Sequence, residues 1–172
     1  MPVAGNVAPY LERFAAESAT TKAAFAHEAN LRYGSHERET IDYFPATPGA
    51  PLFVWVHGGY WRRLSKDDNA FVAGVPLRAG AAVALVNYPL APEADLDRIV
   101  ASVRAAHAFA LARASGDGAL PARVVAGGHS VGAQLAAAIA ATSSLDGLLT
   151  LSGLYDLEPV RRSNVNETIA MD

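Results

Sequence analysis

The sequence predicts one α/β domain, a mostly parallel sheet with helices on both faces. Three observations lead there. The apolar runs Leu52–Val56, Ala81–Val86 and Leu148–Leu151 are continuous rather than alternating, as strands buried on both faces require. Helical periods separate them, the rhythm of βαβ units. The chain has 172 residues, 51% of them hydrophobic and 18% charged, which suits one buried core and is short for two. Residues 1–172 are therefore expected as one domain, with 1–35 an N-terminal helical segment and 36–172 the sheet core.

In chain order, residues 9–32 read as a helix, with Leu11, Phe14, Ser18, Phe25 and Ala29 near one face and Gly34-Ser35 as the stop. Glu39–Phe44 reads as a short strand closed by the turn cluster Pro45–Pro51. After the strand Leu52–Val56 and His57-Gly58-Gly59 comes a helical stretch, Lys66–Ala79, weakened by Gly74 and Pro76. The strand Ala81–Val86 is closed by Pro89 and Pro92. A helix over Asp95–Ala114 turns Ile99, Val103, Ala106, Ala110 and Leu111 inward. Arg123–Ala126 is a short strand, Val131–Ala141 an alanine-rich helix, and Leu148–Leu151 the last buried strand. With nothing after it to pair with, that last strand predicts self-association or a homo-oligomer through an unpaired edge.

Composition excludes several classes. A net charge of −3 argues against nucleic acid as a partner, since phosphate binding needs a basic face. Zero cysteines exclude a disulfide scaffold, a thiolate nucleophile and cysteine-ligated metal. The uncharged runs are alanine- and glycine-rich and broken by polar residues, so no membrane span is expected. The start MPVAGNVAPYLER lacks the pattern of a secretory signal, and a cytoplasmic location is expected. His27 and His36 lack the i, i+4 spacing of a metal pair, His107 reads as a surface or packing residue, and Arg161 and Arg162 as a solvated pair.

The chemistry concentrates in two segments. Gly128-His129-Ser130-Val131-Gly132 is a G-x-S-x-G sequence between a predicted strand and a predicted helix, the setting of a nucleophile elbow that lifts a serine oxygen above the sheet. The plainer alternative is a glycine turn whose serine caps the helix. His57-Gly58-Gly59-Tyr60-Trp61 ends an earlier strand, and glycine-loop N–H groups there can hold the oxyanion of a tetrahedral intermediate. Its alternative is a strand-ending turn with Tyr60 and Trp61 packed over the core.

HGGYW, NYPLAPE, GGHSVGAQLA and SGLYDLEP, in that order, resemble the α/β hydrolases, within the branch of small esterases with an HGG loop. HGGYW, SGLYDLEP and RYGSHERETIDYFPA resemble in particular the serine-dependent kynurenine formamidases, or arylformamidases, of tryptophan catabolism. Related carboxylesterases carry a third glycine where this chain has Tyr60. The resemblance implies Ser130 as nucleophile, Gly58, Gly59 and Val131 as oxyanion hole, and Tyr60 and Trp61 beside an aromatic substrate. The implied reaction is hydrolysis of N-formyl-kynurenine or a similar aryl formamide to an aryl amine and formate, with neither metal nor cofactor. His57 would brace its loop rather than titrate.

The triad order of this fold is Ser, acid, His. The five histidines, His27, His36, His57, His107 and His129, all precede Ser130. Downstream carboxylates are Asp146, Asp156, Glu158, Glu167 and Asp172, with Asp156 expected as a loop hydrogen-bonder rather than the triad acid. No triad acid or histidine is therefore assigned, and the expectation is a chain truncated at its C-terminus, inactive or weakly active alone. The alternatives are a short-chain carboxylesterase or a non-catalytic remnant of such an enzyme.

Overall fold

A computed structural model describes residues 6–116 and 118–169; Asp172 lies outside them. The elements run α1 (Ala8–Ala24), β1 (Glu28–Arg32), β2 (Thr40–Phe44), β3 (Leu52–Val56), a 3₁₀ segment (Asp67–Ala73), α2 (Gly74–Arg78), β4 (Ala82–Val86), α3 (Leu96–Ala114), β5 (Val124–His129), α4 (Val131–Ala140), β6 (Gly147–Leu151), α5 (Glu158–Arg161) and α6 (Asn166–Ile169). The strands form one sheet in the order β1-β2-β4-β3-β5-β6. From β4 to β6 it is parallel, while β2 pairs antiparallel with both β1 and β4.

The alternation of side chains along the strands divides the core in two. Leu52, Val54, Val56, Ala82, Ala84 and Val86 share one cluster with Ile99, Val103 and Leu135 of α3 and α4. Trp55, Val83 and Leu85 point the other way and join Phe44 with Ala70 and Ala73 of the 3₁₀ segment. Both faces of β3 and β4 are thus buried, which is why these strands are unbroken apolar runs. The long helix α3 starts where Asp95 accepts the Arg98 N–H at 2.7 Å, satisfying one of the donors a helix start leaves without a partner.

Two expectations are corrected. The helix expected over residues 9–32 ends at Ala24, where Phe25 turns to extended backbone, and Glu28–Arg32 forms edge strand β1. The N-terminal segment is therefore not wholly helical but contributes to the sheet. The strand at Leu148–Leu151 is not buried: Leu148, Leu149 and Leu151 are 43%, 45% and 45% exposed, because β6 is the other edge of the sheet. Leu149 and Leu151 line a groove of about 360 Å³ with Phe53, Trp55, Val72, Val75 and Pro76, on the sheet face away from α4, where no helix among the described residues covers β5 and β6. Among the described residues, no helix is long and apolar enough to cross a membrane.

Beneath the loop after β3 lies a buried ionic cluster. Asp42 of β2, fully buried, accepts Lys66 Nζ at 2.9 Å and Lys22 Nζ at 2.6 Å, and takes the Asn30 N–H at 2.9 Å. Burial alone would raise this carboxyl, but Lys22, the Asn30 N–H and Lys66 together bring it below its ordinary range. The cluster ties α1, β2 and the start of the 3₁₀ segment to one another.

Candidate active site

β3 and β5 are parallel neighbours with Val56 opposite Gly128, so the His57–Trp61 loop and the Ser130 turn leave the sheet side by side at its C-terminal end. Ligand crevices of open α/β sheets form at such ends. Ser130 sits between β5 and α4 with φ 56° and ψ −125°, and its side chain makes no capping hydrogen bond. A non-glycine residue held this way stores on the order of 1–3 kcal/mol of strain, maintained only where the surroundings over-determine it.

Here the surroundings do. A Cβ on Gly128 would lie 2.2 Å from the Gly132 carbonyl oxygen, and one on Gly132 would lie 2.2 Å from that of Val56. The turn thus folds back on itself and against the end of β3 at distances only hydrogen allows. The Ser130 N–H donates to the Leu151 carbonyl at 2.8 Å, anchoring the turn to β6. That donor is occupied, so it is not free to face an oxyanion. Val131 opens α4, where geometry leaves an N–H without an intrahelical acceptor. Among the described residues no hydrogen bond occupies the N–H of Gly58, Gly59 or Val131.

The two segments meet. A Cβ on Gly58 would lie 3.3 Å from Ser130 Cβ and 2.8 Å from the His129 carbonyl oxygen, which places the glycine loop against the serine turn. The loop then runs through left-handed backbone, with φ 119° at Gly59, 54° at Tyr60, 57° at Trp61 and 70° at Leu64. This backbone sends the two aromatic neighbours opposite ways. Trp61 is fully buried in the α3–α4 core cluster, while Tyr60 is 38% exposed. Of the pair expected beside a substrate, Tyr60 faces outward and Trp61 packs the core.

His57 is enclosed. Its Nδ1 donates to the Gly58 carbonyl at 2.6 Å, its ring stacks on Tyr88 at 4.3 Å between centroids, and Nε2 is buried without a partner among the described residues. Burial lowers its pKa to about 4, against a smaller upward pull from the Gly58 hydrogen bond. The ring is thus neutral at pH 7 and braces the loop. The folded form binds the proton less readily than the unfolded chain, so this contribution is complete above pH 6.5 and is lost as pH falls toward 4. Between pH 7 and 5 the wild type is expected to lose about 2 kcal/mol more than His57→Gln, by urea unfolding at both values. Equal losses in the two proteins would refute it.

The other histidines sit apart from the serine oxygen's surroundings, with one exception. His129 is exposed, and its Nδ1 lies 3.4 Å from the position of a Gly58 Cβ, at the rim of the same loop. His27 stacks on Phe44, and His36 lies 3.4 Å from Glu93. His107, 4% exposed, is a packing residue of α3. Asp156 accepts the Glu158 N–H at 3.1 Å, a loop hydrogen bond as expected. Arg161 and Arg162 are not merely solvated: both bind Glu158, at 2.7 and 2.5 Å. Among the described residues, no group of three or more His, Asp or Glu side chains is placed to hold a metal ion.

Sequence reasoning missed the residues behind the loop. Arg38 donates to the Leu64 and Tyr88 carbonyls at 2.8 and 3.0 Å. Asn87 Oδ1 accepts the Lys66 N–H at 2.8 Å, and Tyr88 donates its hydroxyl to the His57 carbonyl at 2.9 Å. Asn87 and Tyr88 belong to the NYPLAPE segment, so a motif was visible there without a role.

The family described as alpha/beta hydrolase fold matches residues 53–171. A kynurenine formamidase of Danio rerio is 36% identical over 153 residues, covering 83% of this chain and 51% of that protein. The carboxylic ester hydrolase LipN of Mycobacterium tuberculosis is 38% identical over 100 residues, 56% of this chain and 27% of that one. A crystal structure from Silicibacter sp. tm1040 superposes with a TM-score of 0.85 at 30% identity, covering 99% of this chain and 67% of that one. The chain spans about half the length of the kynurenine formamidases of Danio rerio and Salmo salar that it matches.

Proposed function

The chain belongs to the α/β hydrolase fold family, and from that premise we propose that it is the nucleophile-bearing part of a cytoplasmic serine hydrolase acting on aryl formamides, N-formyl-kynurenine foremost. The observation that carries this is Ser130, held in strained backbone at a strand-to-helix turn against the Gly58 loop. Ser130 Oγ attacks the formyl carbon and the C–N bond breaks, releasing the aryl amine and leaving a formyl ester on the serine. Water then releases formate. The N–H groups of Gly58, Gly59 and Val131 hold the oxyanion in both halves, and Tyr60 meets the aromatic ring. The triad acid and histidine come, in this proposal, from chain outside these 172 residues, in keeping with relatives about twice as long.

The match to LipN favours a second reading, a short-chain carboxylesterase. The two separate in one experiment. Residues 1–172 are joined to the C-terminal half of the Danio rerio relative and assayed on N-formyl-kynurenine and p-nitrophenyl acetate. Formamide cleavage that disappears in Ser130→Ala is expected. Ester cleavage without any formamide cleavage would select the esterase, and turnover untouched by Ser130→Ala would sink both.

We also propose that the 172-residue chain pairs with itself along β6. The strand Gly147–Leu151 carries no charge, proline or bulge to blunt its edge, and its leucines are close to half exposed. Light scattering is expected to show dimers or larger species, which Leu149→Lys reduces. A clean monomer in the wild type would refute it.

A further inference from the structure

We propose that Arg38 is a positioning residue of the Gly58–Gly59 loop, a two-pronged clamp that keeps the loop's N–H groups turned to Ser130. The inference rests on the reading of that loop as an oxyanion hole. Three non-glycine residues within five, Tyr60, Trp61 and Leu64, hold left-handed φ values. Each is disfavoured relative to ordinary backbone for a residue with a side chain, so an unrestrained loop would relax.

Four stitches oppose that relaxation. Tyr88 Oη donates to the His57 carbonyl, the Ala91 N–H to Trp61 at 2.8 Å, Arg38 to Leu64, and Asn87 takes the Lys66 N–H. Three of them come from the segment leaving β4. Arg38 differs, because one guanidinium holds both segments: Nη2 donates to Leu64 in the loop at 2.8 Å and Nε to Tyr88 in the β4 segment at 3.0 Å. Tyr88 in turn holds His57, next to Gly58, at 2.9 Å. The clamp therefore grips the loop directly at one end and through Tyr88 at the other. Arginine suits the task because its planar fork addresses two carbonyls at fixed angles, whereas a lysine ammonium is a point charge on a flexible stem. Arg38 is half-buried and lines a cavity of about 390 Å³ with Thr40 and Asn87, so a small cation from solvent can reach its place.

The test uses the 172-residue chain as wild type, Arg38→Lys and Arg38→Ala, with two readouts. Amide hydrogen exchange over residues 58–66 is expected to quicken on the order of tenfold in both variants, with α3 and α4 unchanged. Labelling of Ser130 by a fluorophosphonate is expected to slow by a similar factor, and millimolar guanidinium is expected to restore both readouts in Arg38→Ala without affecting the wild type. Unchanged exchange at 58–66 would overturn the proposal. So would an equal rise in α3 and α4, which marks a merely structural loss, or a failure of guanidinium to restore either readout. If Ser130 is unlabelled even in the wild-type chain joined to the relative's C-terminal half, the nucleophile assignment fails, and exchange with its rescue still decides whether Arg38 clamps the loop.

Discussion

Ser130→Ala is expected to abolish fluorophosphonate labelling and, in the enzyme completed with a relative's C-terminal half, to lower kcat on the order of a million-fold. Losing a triad serine has had about that effect in a serine protease, where members of the triad act as a unit. About a thousand- to ten-thousand-fold acceleration over water remains in such cases, from binding and the oxyanion donors. The same arithmetic applies to the 172-residue chain as it stands, in which every histidine precedes Ser130. A histidine base takes the serine proton and later protonates the leaving amine, so its lack impairs both half-reactions. The isolated chain is expected to show at most the residual rate and slow labelling, and the added segment to restore both. Assay of the two chains beside their Ser130→Ala forms reads this directly. Robust turnover by the isolated chain that vanishes in Ser130→Ala would point to an unconventional base, beginning with His57 and Asp156. His57 starts poorly placed, since its Nε2 is sealed beside Tyr88 and its pKa lies near 4.

Gly132→Ala is the second large effect. The new methyl would meet the Val56 carbonyl oxygen at 2.2 Å and that of His57 at 2.5 Å, both backbone atoms at the end of a central strand. Neither is a flexible side-chain tip that could swing aside. Relief requires α4 to move off β3, which opens the core cluster around Leu135 and Ile139. The cost is expected at the upper end for overpacking, about 3 kcal/mol or more. Urea unfolding measures it, and a midpoint equal to that of the wild type would show that the elbow has slack these distances do not reveal. If the variant stays folded, slower labelling of Ser130 is expected, because the helix start that carries the Val131 N–H has moved.

The fold was legible where one physical cause dominated. β3 and β4 are buried on both faces, so apolar runs alone mark them, with bounds within a residue of those expected. β1 was not legible. Glu28–Arg32 reads EANLR, with Ala29 at helical spacing from Phe25, and the break after Ala24 has neither glycine nor proline to announce it. The pairing of Leu31 with Ile41 decides the matter, and that is a long-range fact. In the site, Ser130 and Gly58 were visible because steric crowding there demands residue types that spell a motif. Arg38 stood within the segment RYGSHERETIDYFPA, but its role was not legible, because its acceptors are backbone carbonyls, 26 and 50 residues away, which leave no side-chain signature. Trp61 and Tyr60 looked equivalent as neighbours, and only the left-handed turn separates an inward ring from an outward one.

The hydrogen bond from Ser130 N–H to Leu151 O makes the outermost strand the floor on which the nucleophile stands. Edge strands with exposed side chains are among the first parts of a sheet to fray, since fewer contacts oppose their opening. Each excursion of β6 loosens the backbone tether at Leu151, together with the β5–β6 pairing that leads into the turn. In the 172-residue chain the serine's order therefore depends on that margin as well as on the packed centre of the sheet, and stiffness supplied to the margin by a neighbouring strand is expected to arrive at the nucleophile as order.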